Sequence, residues 1–213
     1  PDREPHSIHG YFIAPGDIHQ DLLFDVETLR DGHSFSSRRV NVTQSQGSIL
    51  TAIASFQTKG QEGMEYADPM PTDVPDPESL KSSKELMEPF ADKSSFAKYY
   101  AYNSPFDIRY ISQPILLGPD KRSHEEDSGK QLVWMRADGS CEVSQTMHRA
   151  MLALGCDQIM LEPILHLYVQ DTPTAGHGRG LSTAKVYRQD GTLVAAIVQE
   201  AMVRVPQPDP KQD

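Results

Sequence analysis

The 213 residues carry 20 Lys and Arg against 30 Asp and Glu, a formal net charge of −10, and that balance repels phosphate backbones and anionic membrane surfaces. No apolar run approaches the roughly 20 residues of a membrane helix, and the two cysteines, Cys141 and Cys156, form no Cys-x-x-Cys pair, which argues against a disulfide framework or a zinc site. A soluble protein of a reducing compartment is expected, without nucleic-acid or membrane partners, long enough for one large domain or two small ones.

The chain opens at Pro1 without an initiator Met and within a few residues reads as the interior of a strand, residues 6–13, so an N-terminal piece is expected to be absent. Residues 22–27 and 36–42 are rich in β-branched and aromatic side chains. Asp31-Gly32 and Gln46-Gly47 punctuate them, and residues 49–56 close the set as an antiparallel meander with no helix of its own. Composition then shifts: residues 59–77 are rich in Pro, Gly, Asp and Glu without apolar period, as in a linker. Asp76 as N-cap and Pro77 at the first helical position open a helix through about Met87, which Pro89 ends. Ile108 and Tyr110 mark an edge or half-buried strand, followed by a charged, solvated loop (120–130) and a strand over 131–136. Asp138-Gly139-Ser140 reads as a turn and helix start, and Val143, Met147, Ala150, Met151 and Leu154 fall at helical spacing in the one long amphipathic helix. Strands over 181–188 and 192–205, joined at Gln189-Asp190-Gly191, complete the fold. The tail from Pro206 has a disordered character.

A near-repeat organises these pieces. Gly32, Val40, Val42, Gln46-Gly47 and Ile49 to Ile53 are echoed by Gly178, Val186, Arg188, Asp190-Gly191 and Leu193 to Ile197. Two copies this far apart indicate two similar half-domains. The expected class is α+β: a curved antiparallel sheet wrapping a central helix, present twice, with the first copy showing only its sheet. The expected boundaries are 1–58 for the first copy, 59–105 for a linker with a short helix, 106–205 for the second copy, and 206–213 for the tail.

Two residues stand out chemically. Asp157 lies among apolar residues at or beyond the end of the long helix, where desolvation would raise its pKa and suit it to activate water; an acid capping nearby backbone groups is the alternative. Gln199 interrupts the apolar run 193–198. A buried amide must be hydrogen-bonded, so it either ties down backbone or orients a bound carbonyl or water. Its counterpart in the first copy is roughly Ser55. His6 and His9 fall on opposite faces of a strand, which disfavours a metal pair. The stretch Gly176 to Gly180 precedes a strand rather than a helix and reads as a turn or bulge, not a phosphate cradle. Arg38, Arg39 and Lys185 are strand cations that either meet phosphates or decorate a solvated sheet face. No nucleophile elbow is present.

These residues carry a resemblance. His6-Ser7-Ile8-His9-Gly10-Tyr11-Phe12 with Pro15-Gly16-Asp17, Phe24-Asp25-Val26-Glu27, Leu29-Arg30-Asp31-Gly32 and Ser34 to Val40 look like the first half of the type II acyl-CoA thioesterases. This is the double-hotdog group of bacterial thioesterase II and the peroxisomal acyl-CoA thioesterases. Trp134-Met135-Arg136-Ala137, the helix ending at Asp157, and Gln189 to Ala195 running into Val198-Gln199-Glu200 resemble the second half. The resemblance implies a double hotdog whose first half is N-terminally incomplete, and hydrolysis of acyl-CoA to fatty acid and CoA by an activated water. Asp157 and Gln199 map onto two of three catalytic positions. No metal or cofactor is implied, and Arg38 and Arg39 are offered, outside the family match, as contacts for the CoA phosphates. The third position, a Thr or Ser, precedes an Asp-His-Ser-Met-Trp type motif in the family. Here the chain passes from Leu165 directly to His166-Leu167-Tyr168, so a segment is expected to be missing near that junction.

The alternative is a non-catalytic acyl-CoA-binding or assembly protein that kept the fold. A hotdog dehydratase or hydratase would need an Asp and His pair that is not visible. The resemblance implies a peroxisomal location, although Lys211-Gln212-Asp213 is no peroxisomal address; the cytoplasm is the alternative. Two hotdogs in one chain imitate the common hotdog dimer, so a homo-oligomer is also an expected partner state.

Overall fold

Alternation of apolar and polar residues with period two builds the first of two compact units, Pro1–Tyr66 and Ala67–Asp213, entirely from strands. The computed structural model describes residues 3–60, 62–111, 130–139, 144–158 and 166–202. In the first unit β1 (Arg3–Phe12), β2 (Leu23–Asp31), β3 (Phe35–Gln44) and β4 (Gly47–Thr58) form one antiparallel sheet in the order β1-β4-β3-β2. The expected meander is present, with β1 added along the outer edge of β4. Little of it is buried: among the described residues of this unit only Ser36, Val42 and Ile49 are enclosed, while Ile8, Tyr11, Phe12 and Phe24 stand exposed.

The second unit pairs five strands in sequence order, β5 (Phe106–Tyr110), β6 (Lys130–Ala137), β7 (His166–Gly176), β8 (Arg179–Arg188) and β9 (Leu193–Met202), all antiparallel. Strand β7 is an addition to the expected set. Pro173 would normally disqualify a central strand, and the ladder accommodates it with a register shift between Asp171 and Thr174, the position a bulge provides. The turn into β8 is His177-Gly178, with φ of 51° and 75°; positive φ at both central residues is the hairpin geometry that matches strand twist. The Gly176 to Gly180 stretch is therefore a turn.

One face of this sheet packs Ile108, Val133, Met135 and Val186 against Met151 and Leu152 of the long helix α3. Leu86 of α1 (Ser83–Met87) and Tyr100 of α2 (Ser95–Tyr102) join the same cluster. A helix laid on one face of an antiparallel sheet is the arrangement expected of a hotdog half. The helix α3 runs Gln145–Gln158 and starts at Ser144, whose Oγ accepts from the Met147 N–H at 3.3 Å. The expected start near Ser140 lies outside the described residues, as do the charged loop, the junction at Leu165 and the tail.

The opposite face is covered by part of the Pro-rich stretch read as a linker. Trp134, Leu167 and Tyr187 pack against Met70, Val74 and Leu80, and the Trp134 indole donates to the Pro75 carbonyl at 3.0 Å. Arg109 fastens this strap by donating to the Pro77 carbonyl at 2.7 Å, to Glu78 at 2.8 Å and to Asp107 at 3.0 Å. Arg136 joins Glu78 at 2.7 Å and Asp107 at 2.9 Å.

The helix expected from Asp76 to Met87 is divided. Asp76 caps a 3₁₀ turn, Pro77–Ser79, by accepting from the Glu78 N–H at 2.8 Å. The backbone is then extended at Leu80 (φ −100°, ψ 148°) before α1 begins. A second cap explains the break: Ser82 and Glu85 form a reciprocal capping box, which starts a new helix where it stands. No helix among the described residues is long and apolar enough to cross a membrane.

Candidate active site

Gln199 sits near the middle of β9, half-buried, directly opposite Ser182 on β8. Opposed residues of an antiparallel pair point to the same face, and two residues along each strand come Ala184 and Ile197, which belong to the cluster packed against α3. Gln199 therefore lies on the helix-covered face. It lines a small cleft with Ile197 of β9, Ser182, Thr183 and Ala184 of β8, and Tyr168 and Gln170 of β7. The cleft offers about 10 Å³, on the scale of one water molecule. Two amide-bearing residues, Gln170 and Gln199, and three hydroxyl-bearing ones, Tyr168, Ser182 and Thr183, are among its lining and are the kind of polar partners such a water needs.

Asp157 falls on the last turn of α3; its side chain lies outside the described residues. The three cations and the first of the two histidines singled out above are placed as follows. Arg38 donates to Asp31 at 2.7 Å and to the carbonyls of Arg30 and Ser37, and Arg39 pairs with Glu27 across the β2–β3 ladder. Lys185 pairs with Asp68. His6 shares a 2.9 Å hydrogen bond with Ser55 and meets Phe35 edge-on at 5.7 Å. Among the described residues no group of His, Cys, Asp and Glu is arranged to hold a metal ion.

The turn that leads into β9 is held by Asp190. The Thr192 hydroxyl and backbone N–H both hydrogen-bond its carboxylate and hold it below the usual carboxylate range, the Thr192 N–H at 2.9 Å. This fixes the β8–β9 register that sets Ser182 against Gln199. Sequence reading passed over Ser182, Thr172 and Tyr168. Counting residue pairs outward from the Gln189-Asp190-Gly191 turn would have set Leu181 against Gln199, because the register shift between Val186 and Tyr187, which no local signal announces, moves the pairing by one residue.

Across its length the chain is 30% identical to human acyl-coenzyme A thioesterase 8, with 96% of this chain and 74% of the human protein covered. The chain belongs to the acyl-CoA thioesterase family. The sequence profile of the acyl-CoA thioesterase N-terminal domain matches residues 1–57, and that of the C-terminal domain matches residues 162–203. Among solved structures it is similar to acyl-CoA thioesterase II of Mycobacterium marinum, at 29% identity and a TM-score of 0.75 over 97% of this chain and 82% of that one. A hot dog fold protein from Alicyclobacillus acidocaldarius, at 18% identity and a TM-score of 0.70 over 96% and 80% of the two chains, agrees in fold. A partial match, 25% identical over 51% of this chain and 40% of the relative, is to peroxisomal acyl-coenzyme A thioester hydrolase 1 of Saccharomyces cerevisiae.

The thioesterase assignment and the hotdog fold expected from the sequence are thus met. The alignment to the human relative spans 243 positions, whereas 96% of this 213-residue chain is about 204 residues. About 39 positions of the alignment have no residue here.

Proposed function

We infer that this chain hydrolyses acyl-CoA thioesters to free fatty acid and CoA by direct attack of one water, oriented by Gln199 and deprotonated by Asp157. The observation that carries this reading is Gln199: a carboxamide on the helix-covered face of β9, in a polar cleft sized for one water, within a thioesterase chain. The amide oxygen accepts a hydrogen bond from one O–H of the water and leaves an oxygen lone pair for the thioester carbonyl carbon. As the C–O bond forms, Asp157 takes the other proton. Collapse of the tetrahedral intermediate then breaks the C–S bond, and that proton passes to the CoA sulfur. Packing of α3 on the cluster that contains Ile197 supports pairing these two elements.

Arg38 and Arg39 are the cations proposed for the CoA phosphates. Each now holds a carboxylate, Asp31 and Glu27, which phosphate would displace. Fatty-acid metabolism in the peroxisome is part of the proposal, supported by the yeast relative's name.

The test is acyl-CoA hydrolysis by the parent chain, Asp157→Asn and Gln199→Ala. Rates about 10²- to 10⁴-fold lower are expected for Asp157→Asn and about 10²- to 10³-fold lower for Gln199→Ala. Background rates in all three would favour a protein that binds acyl-CoA without cleaving it, a reading to which the unmatched positions lend weight. For the cations, KM should rise with kcat unchanged in Arg38→Ala and Arg39→Ala; an unchanged KM removes them from the site. Fractionation that finds the protein outside peroxisomes overturns that location.

A further inference from the structure

We propose that Ser182 is the hydroxyl that holds the attacking water beside Gln199, and that Thr172 positions it. The proposal rests on the hydrolase reading of Gln199. Ser182 is the residue the β8–β9 register sets directly against Gln199, so the two side chains rise side by side from one face, their Cβ atoms about 5 Å apart by strand geometry. Both line the same cleft. A water bound there needs two to four polar partners, and the Gln199 amide and the Ser182 hydroxyl are placed to be the first two.

Ser182 is held as well as placed. Its Oγ lies 3.1 Å from the Thr172 Oγ1 on the neighbouring strand β7, close enough for one hydroxyl to donate to the other. A serine hydroxyl otherwise rotates among three staggered positions. One hydrogen bond between the two uses one proton and one lone pair, so Ser182 keeps capacity for a second partner. Thr172 reaches it because the β7 ladder shifts register between Asp171 and Thr174, the irregularity that also admits Pro173.

In the reaction the Ser182 oxygen remains a hydrogen-bond partner and forms no bond to carbon. The water oxygen adds to the thioester carbonyl carbon, its proton goes to the Asp157 carboxylate, and the C–S bond breaks with that proton delivered to sulfur. Ser182 and Gln199 between them fix the water's remaining proton and orientation.

The experiment uses the full chain with decanoyl-CoA. Ser182→Ala should lower kcat about 10- to 100-fold, the scale of one lost hydrogen bond to the reacting group, with KM within about twofold of the parent value. Ser182→Thr, which keeps the hydroxyl, should restore most of the rate, whereas a merely structural role would respond to the lost volume instead. Thr172→Val, near-isosteric, should lower kcat by a smaller factor and serves if Ser182→Ala does not fold. A kcat within twofold of the parent in Ser182→Ala, or failing its folding in Thr172→Val, overturns the proposal. An acyl adduct on Ser182 in quenched intact-mass spectra also overturns it, since the serine would then be a nucleophile. A parent chain inactive on decanoyl-CoA and on shorter and longer acyl-CoAs overturns the hydrolase reading and this proposal with it; an active parent with an indifferent Ser182→Ala removes only the latter.

Discussion

The two units share a hairpin and differ in what surrounds it. In β3–β4 and in β8–β9 alike the ladder shifts register near the turn, between Val42 and Thr43 and between Val186 and Tyr187. Ser55, the sequence counterpart of Gln199, faces Ser37, whereas Gln199 faces Ser182 one pair closer to its register shift. In the first unit β1 lies along β4 and its His6 bonds Ser55. In the second, Gln199 borders a cleft for one water on a face covered by α3. The repeat thus supplies a similar hairpin twice, and the proposed chemistry falls in the copy whose polar residue borders a cavity. The units also differ in stability-bearing contacts, since buried cores and buried ions concentrate in the second.

The two largest expected effects test that concentration. Asp107 and Arg109 expose only 11% and 13% of their side chains, and Asp107 faces both Arg109 and Arg136. Removing it in Asp107→Ala takes away the more buried of the two carboxylates that Arg109 and Arg136 share and leaves them Glu78, which is 59% exposed, so a loss of about 3 kcal/mol is expected, read from urea unfolding followed at Trp134, the chain's one tryptophan. A loss below about 1 kcal/mol would mean the strap carries no ionic load. Next comes Ile108, fully enclosed in the second unit, against Ile8, 59% exposed in the first. Ile108→Ala should cost about 2–5 kcal/mol through lost burial and a residual cavity, and Ile8→Ala within about 0.5 kcal/mol. Equal costs would erase the distinction between the sheets.

A smaller effect depends on pH. Burial pushes the Tyr110 phenol up to about 12, against about 10 in an unfolded chain. The folded state therefore keeps a proton that the unfolded state releases. The stabilisation is full below pH ~10 and is lost as pH rises toward ~12, about 3 kcal/mol at the limit. Unfolding midpoints between pH 8 and 11.5 should fall for the parent and fall less for Tyr110→Phe. Tyr100, raised by the same burial, leaves a residual slope. Parallel curves would mean that Tyr110 is not the group responsible.

What was legible in the sequence follows from which signals are local. Turn residues such as Asp190-Gly191 and period-two alternation announced the hairpins, and Met147, Met151 and Leu154 announced α3. The oddness of an amide in an apolar run pointed to Gln199. Non-local facts were not legible. Pro-rich composition reads as a linker whether or not the chain lies on a sheet, so the contacts of Met70, Val74 and Leu80 with Trp134, Leu167 and Tyr187 left no mark. Pro173 concealed β7 because a proline in a strand is acceptable only with a register shift, which is a property of the ladder. Phe96, Ala97, Tyr100 and Ala101 did carry helical spacing for α2, in a segment too short to stand out. Ser182 and Thr172 are ordinary strand residues until register brings them together beside Gln199.

The smallest effect sharpens the comparison from the other side. Arg39 and Glu27 form an ion pair on the first sheet with about half of each side chain exposed, 51% and 49%. Water and salt screen such a pair, and ordering two long side chains offsets much of the Coulomb gain. A double-mutant cycle on Arg39→Ala and Glu27→Ala should therefore return about 0.2–1 kcal/mol. The coupling should shrink further in 1 M salt, where the Debye length is about 3 Å. The stability loss in Asp107→Ala should persist in the same salt, because its charges are shielded from solvent by the strap. If the Arg39–Glu27 coupling instead exceeded about 2 kcal/mol and resisted salt, that face of the first sheet would be desolvated in solution, and the contrast between an exposed first sheet and an enclosed second one would fail.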